Sequence, residues 1–229
     1  LDADHVPYHD NIDWLRNTRH GYEAEVFTDL GNDVVNTKQQ FNLASLYLES
    51  QDIVGVSVSH VTDRPDADFE ITDGSAVPAG NYDWWEARLY GYLGMHRKLF
   101  LRPMYRVGGF YDGTRQQISL ETFYRPWPKL LVGGEYSLNM IDWDAYDDST
   151  IRLMSGTLRY SFTPDLVWFN LAQYDNISKS LSVNSRLQWE YKPGAKMFLV
   201  LNQGYVDERT GLALQNFELV AKVGALFRF

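Results

Sequence analysis

Apolar and polar residues alternate with a period of two along most of the second half of the chain, and that period predicts strands. Between Leu181 and Tyr191 the odd positions are Leu181, Val183, Ser185, Leu187, Trp189 and Tyr191, and the even ones are Ser182, Asn184, Arg186, Gln188 and Glu190. A helix would scatter both sets over every face, whereas a strand sends successive side chains to opposite sides. Four more stretches behave alike, with one face each made of Ile118 to Tyr124, Val132 to Met140, Met154 to Phe162 and Phe217 to Phe229, taken at every second residue. None of these faces carries a charge. The opposite faces hold Glu121, Arg125, Glu135, Arg159, Glu218, Lys222 and Arg228.

The connections fall into two kinds. Counting back from Phe229, every second one is a short turn: 192–196, 162–165, 125–128, 95–98 and 49–52, three of them with proline, which suits a turn and stops a ladder. The others, at 207–213, 175–180, 142–150, 111–115, 61–81 and 31–37, are expected to be longer or more polar. Uncharged apolar faces, polar opposite faces and short-against-long connections together predict an all-β, antiparallel transmembrane β-barrel. The count is about twelve strands, within residues 19–229 and best defined from 82 to 229. The barrel could be part of a larger one. Residues 1–18 read as a periplasmic connector, and the alternation near 20–30, 38–49 and 52–62 is less regular. Tyr124, Tyr160, Phe162, Trp189, Tyr191, Phe227 and Phe229 close strands that run toward the short-turn side, where an interfacial aromatic belt is expected. Phe227 and Phe229 are the expected insertion signal.

Composition sharpens this picture. In 229 residues no run approaches the ~20 apolar residues of a spanning helix, so membrane embedding would have to use strands. There is no cysteine, which removes disulfides and thiolate metal sites. A net charge of −9 argues against nucleic acid as a partner. The expected surroundings are outer-membrane lipid, the barrel-insertion machinery and the bacterial cell outer membrane. No cofactor is implied. The chain begins at Leu1 without a signal sequence, so a longer precursor is expected.

Three runs carry a resemblance: Val77-Pro78-Ala79-Gly80-Asn81-Tyr82-Asp83-Trp84, Arg106-Val107-Gly108-Gly109-Phe110-Tyr111-Asp112-Gly113-Thr114-Arg115, and Asn184-Ser185-Arg186-Leu187-Gln188-Trp189-Glu190-Tyr191-Lys192-Pro193-Gly194. In this order, over approximately residues 65–229, they resemble the C-terminal barrel region of a bacterial family of unknown function. Its members carry an N-terminal domain similar to carbohydrate-binding family 9. The resemblance implies location and architecture, with no catalytic residues to carry over. This chain departs from the pattern by lacking that N-terminal domain, so a missing domain or a partner chain is an expected associate.

Strand parity points Glu86, Arg88, Arg102, Arg106, Glu121, Arg125, Glu135, Arg159, Arg186, Glu190, Glu218, Lys222 and Arg228 into the barrel lumen. They are either charge rings that select solutes or salt bridges that fill a narrow interior, and pairing is the favoured reading. Asp142, Trp143, Asp144, Tyr146 and Asp148 form a candidate outer-loop site, by carboxylates for a cation or by rings for a sugar, against the plainer reading of a solvated loop. Asp63, Asp66, Asp68 and Asp73 repeat the ambiguity in the loop over 62–74. Ser59 and His60 are neighbours on a strand, so they point apart and cannot act together as nucleophile and base. Gly108, Gly109 and Gly113 read as hairpin glycines. The functional expectation is a porin-like transport or structural barrel, passing small solutes or supporting a periplasmic domain. The alternative is a surface barrel that binds glycans or a protein through its acidic and aromatic loops, and a rim hydrolase is a remote third.

Overall fold

The computed structural model describes residues 2–72, 74–208 and 211–225. It is all-β and antiparallel, with fifteen strands and no helix among the described residues. The first seven strands are β1 (Asp2–His5), β2 (Leu15–Thr28), β3 (Val34–Leu48), β4 (Ile53–Asp63), β5 (Phe69–Thr72), β6 (Ser75–Val77) and β7 (Tyr82–Tyr92). Then come β8 (Leu99–Phe110), β9 (Gly113–Trp127), β10 (Leu130–Trp143), β11 (Ser149–Ser161), β12 (Leu166–Asp175), β13 (Ser180–Lys192), β14 (Ala195–Glu208) and β15 (Gly211–Ala225). Thirteen strands pair in chain order, and β5–β6 make a separate hairpin inside the connection from β4 to β7. Two compact units divide the chain: residues 1–97, 101–120 and 138–150 form one, and 98–100, 121–137 and 151–229 form the other.

The twelve strands expected from alternation correspond to β2–β4 and β7–β15. The structure adds β1, which pairs with β2 from within the segment expected to be a connector, and β2 already starts at Leu15. The irregular alternation of the first strands has a structural cause. The β2–β3 ladder shifts register at Leu15/Asn17, Arg19/Gly21 and Phe27/Thr28, and β3–β4 shifts at Asn42/Ala44. Each extra residue flips the parity of the residues beyond it, so no single period survives along β2 or β3.

The turns 49–52 and 162–165 lie where expected, but 125–127 belong to β9, leaving Pro128 and Lys129 as the turn. On the other side of the strands, β8 and β9 are joined by Tyr111 and Asp112 alone, so the expected length asymmetry is carried by 64–81 and 144–148 instead. Gly108 and Gly109 are not turn residues. They lie in β8, where a Cβ on Gly108 would collide with the Trp85 carbonyl oxygen and one on Gly109 would meet the Trp84 Cβ at 2.6 Å. Glycine there lets β7 and β8 approach closely.

Within the first unit, burial is inverted relative to a water-soluble protein. On β7, Glu86 is 7% exposed, while its neighbour Trp85 is 55% exposed and Leu89 53%. The strand partners follow: Ser57 and Ser59 of β4 share the Glu86 face and are buried, and Val58 and Phe41 share the opposite face with Trp85. The second unit sorts its side chains in the same way. Trp168, Leu199, Phe217, Leu219 and Val223 are exposed on the apolar face, and cross-strand rows such as Trp168–Leu187–Leu199–Ala221 run across it. Tyr124, Trp189 and Tyr191 are exposed on the same side of their strands as those rows, and Phe162 is exposed in the turn after β11. Phe227, Phe229 and Arg228 lie outside the described residues.

Asp52 joins two turns of the first unit. Its Oδ1 accepts the Gly94 amide at 2.6 Å, and Oδ2 accepts Ser50 Oγ at 2.8 Å and Arg97 Nη2 at 2.9 Å. The Gly94 amide above all, then Ser50 and Arg97, hold the carboxyl below its usual range. A lowered carboxyl stabilises the fold above its ordinary value near about 4 and loses that contribution as pH falls through the lowered one. Asp52→Asn is expected to unfold at lower urea than the wild type at pH 7, with the two midpoints converging on acidification. Equal midpoints at pH 7 would count against the link.

Candidate functional site

Two arginines meet one carboxylate on the polar face of the first unit, and a third lies beside them. Glu86 lies mid-β7, and Arg106 and Arg115 reach it from β8 and β9. Arg115 Nη2 donates to Glu86 Oε2 at 3.1 Å, and Arg106 Nη1 lies 3.6 Å from Oε1. Arg88 directly faces Arg106 across the β7–β8 ladder. Its own partners are neutral: Nε donates to Ser57 Oγ at 3.3 Å and Nη2 to Gln40 Oε1 at 3.4 Å. Like charges placed opposite each other oppose folding. Rings take up part of the remaining surface, with the Arg88 guanidinium 4.8 Å from the Tyr90 ring and that of Arg115 4.3 Å from Phe110. Tyr90 is held in turn, its ring over Gly55 and its hydroxyl 2.8 Å from Ser45 Oγ.

An aromatic group continues from Phe110. Trp84 stands 6.1 Å from Phe110 and 5.1 Å from Tyr111, and Tyr82 and Phe69 approach Tyr111 at 5.2 and 5.6 Å between ring centres. The Tyr111 hydroxyl donates to Asp63 Oδ2 at 2.7 Å. Burial first, and then this carboxylate, push the Tyr111 phenol well above the usual tyrosine range, so it stays a neutral donor. Arg106 Nε and Trp84 Nε1 are buried donors with no hydrogen-bond partner among the described residues.

Parity therefore locates Glu86, Arg88 and Arg106, but not Arg115. The pattern of glycines places Arg115 at the end of a connection, whereas the two-residue turn puts it in β9. The other charges spread out. The Arg102 guanidinium is 5.7 Å from the Tyr92 ring, and that of Arg186 is 5.8 Å from Phe169. Glu190 pairs with Lys196 at 3.3 Å, and Glu218 accepts Asn202 Nδ2 at 2.9 Å. Lys222 faces Phe198 across the β14–β15 ladder, while Glu121 and Arg125 lie on β9, Glu135 on β10 and Arg159 on β11.

The acidic loop is exposed over 144–148 and anchored at Trp143. Asp142 and Trp143 end β10, and Trp143 is 4% exposed, its Nε1 donating to Ser149 Oγ at 3.1 Å. Its ring is unavailable as a platform for a sugar. Asp144, Tyr146 and Asp148 are exposed, and among the described residues no three metal-ligating side chains converge. Ser149 instead anchors the β5–β6 hairpin: its Oγ is 2.8 Å from Thr72 Oγ1 and 3.4 Å from Ser75 Oγ. Ser59 is buried and His60 lies on the opposite face against Trp85, 4.9 Å between ring centres.

No family model and no curated protein matches the chain. Two porins are among the solved structures similar to it. The KdgM porin in complex with disordered oligogalacturonate has 10% identity and a TM-score of 0.32, covering 99% of this chain and 98% of that one. The NanC porin in a rhombohedral crystal form has 12% identity and a TM-score of 0.35, covering 92% and 99%. Overlap at this level does not reach the residues of a site, so function has to come from this chain's own side chains.

Ser149→Ala removes a hydroxyl shared by Thr72, Ser75 and Trp143. Limited proteolysis is expected to cut the connection 64–81 faster in this variant, for a loss of about 1–3 kcal/mol per unsatisfied buried group. An unchanged cleavage rate would mean that the hairpin is held by other contacts.

Proposed function

We propose that the chain forms an outer-membrane β-barrel whose apolar face meets lipid and whose polar face lines a lumen that passes small solutes. The observation that carries this reading is the inverted burial: Glu86, Ser57, Ser59 and Ser137 are hidden while Trp85, Leu89, Phe217 and Val223 are exposed. Water would penalise so many exposed apolar side chains in each unit, whereas hydrocarbon requires them. The exposed aromatics Tyr124, Phe162, Trp189 and Tyr191 suit a headgroup boundary on the short-turn side. Hydrocarbon tolerates no open sheet edge, so the reading requires the first and last strands to be paired, with each other or with strands outside this chain. A polar lining that includes Arg88, Arg106 and Arg115 fits transport of solutes better than an inert wall, because matched salt bridges would fill a closed interior at less cost. The resemblance of 65–229 to the barrels that follow a carbohydrate-binding domain adds a periplasmic domain as an associate.

A charge placed on either face tests the reading. Leu89→Arg is expected to lower the free energy of folding into lipid vesicles by about 2–4 kcal/mol, the cost of a cation against hydrocarbon. Ser119→Arg, on the polar face of β9, is expected to cost far less. Equal losses at the two positions would contradict the assignment of faces.

A further inference from the structure

We infer that the arginines around Glu86 form a binding site for small organic carboxylates and make the lumen select anions, although the whole chain carries a net charge of −9. This rests on the barrel reading above. Arg106 and Arg115 both pair with Glu86, and Arg88 faces Arg106, so these four residues together carry two more positive than negative charges. Arg88 is held by a serine, a glutamine and a tyrosine ring, and Asp63, the nearby acid at the loop side, is engaged by Tyr111 and by Asn36 at 3.1 Å.

A purely structural cluster would not set Arg88 opposite Arg106 on paired strands, since an acid or a neutral residue at either position would hold the sheet together better. The facing pair makes sense if a third party supplies negative charge. Arg106 has more guanidinium N–H groups than its pair with Glu86 uses, and a planar carboxylate matches the paired donors of a guanidinium. Glu86 then acts as a positioning residue. It holds Arg106 and Arg115 side by side and leaves their remaining N–H groups for the ligand. Next to the charges stand the rings of Phe110, Trp84 and Tyr90, with the unpartnered Trp84 Nε1 among them. The ligand that fits is a carboxylate carried on a ring or another flat apolar body, small enough to lie on the polar face of β7, β8 and β9.

Reversal potentials in planar bilayers under a potassium chloride gradient test this, with benzoate added as the probe and glucose as the uncharged control. Wild-type channels are expected to pass chloride in preference to potassium, and benzoate, but not glucose, is expected to reduce the chloride current. Arg106→Gln is expected to weaken benzoate block about tenfold, the loss of one charge-assisted pair. Because removing Arg106 also disturbs Glu86, Arg88→Gln serves as the second variant. It leaves both Glu86 pairs in place and is expected to shift the reversal potential toward potassium and to weaken block by benzoate. Potassium-selective wild-type channels, or block by benzoate that survives both substitutions, would overturn the inference. Failure of the wild type to insert or conduct at all would overturn the barrel reading instead.

Discussion

A strand standing between an apolar and a polar medium has to sort its side chains by parity, and the rest of this chain depends on keeping that parity. Backbone N–H and C=O groups are satisfied by the neighbouring strands, so the sheet needs no interior of its own beyond what the polar face can fill. That is why the most deeply buried side chains include Ser57 and Val77 rather than a cluster of leucines, and why tryptophan and phenylalanine stand exposed. The irregularities respect the same rule. Bulges at Arg19/Gly21 and Asn42/Ala44 shift the ladder without moving a charged residue onto the face that carries Phe41, Val58 and Trp85.

On the polar face the problem reverses, because charges withdrawn from water must find partners. In the second unit they do so in the ordinary way, Glu190 with Lys196 and Glu218 with Asn202. In the first unit they do not balance. Glu86 serves two arginines, and a third is set opposite one of them with neutral partners. Such an arrangement costs stability locally and is tolerable where the rest of the sheet is secure. Local conflict of this kind is where function is usually stored, and it is the physical reason for placing the solute here rather than in the acidic loop. That loop lost its appeal for an equally physical reason: Trp143 is committed to Ser149 and the β5–β6 hairpin.

Much of the fold is legible because period two is a strong signal wherever a strand runs without a bulge. Leu181 to Tyr191 pairs in uninterrupted register with β12 up to Trp189, and its parity can be read directly. The first strands are harder, because each bulge resets the phase and a short window then averages two opposite patterns. β1 escapes for another reason: Asp-Ala-Asp-His has no apolar face, and it pairs through its backbone and an ion pair between Asp4 and Arg19. Of the site, parity supplies Glu86, Arg88 and Arg106. Arg115 is hidden by the glycines around the turn, which suggest a longer loop. The role of Asp52 cannot be read at all, since it depends on two turns 42 residues apart meeting at one carboxylate.

The central claim is that one face of the sheet meets hydrocarbon and the other water. Because the chain has no cysteine, single cysteines can be introduced cleanly and spin-labelled along β13 in the lipid-inserted protein. Labels at 183, 185 and 187 are expected to relax fast with oxygen, which concentrates in lipid, and slowly with a water-soluble nickel chelate. Labels at 184 and 188 should show the opposite preference. Nickel access at the odd positions, or low access to both reagents there, would mean that water or protein covers the apolar face, and would contradict the claim.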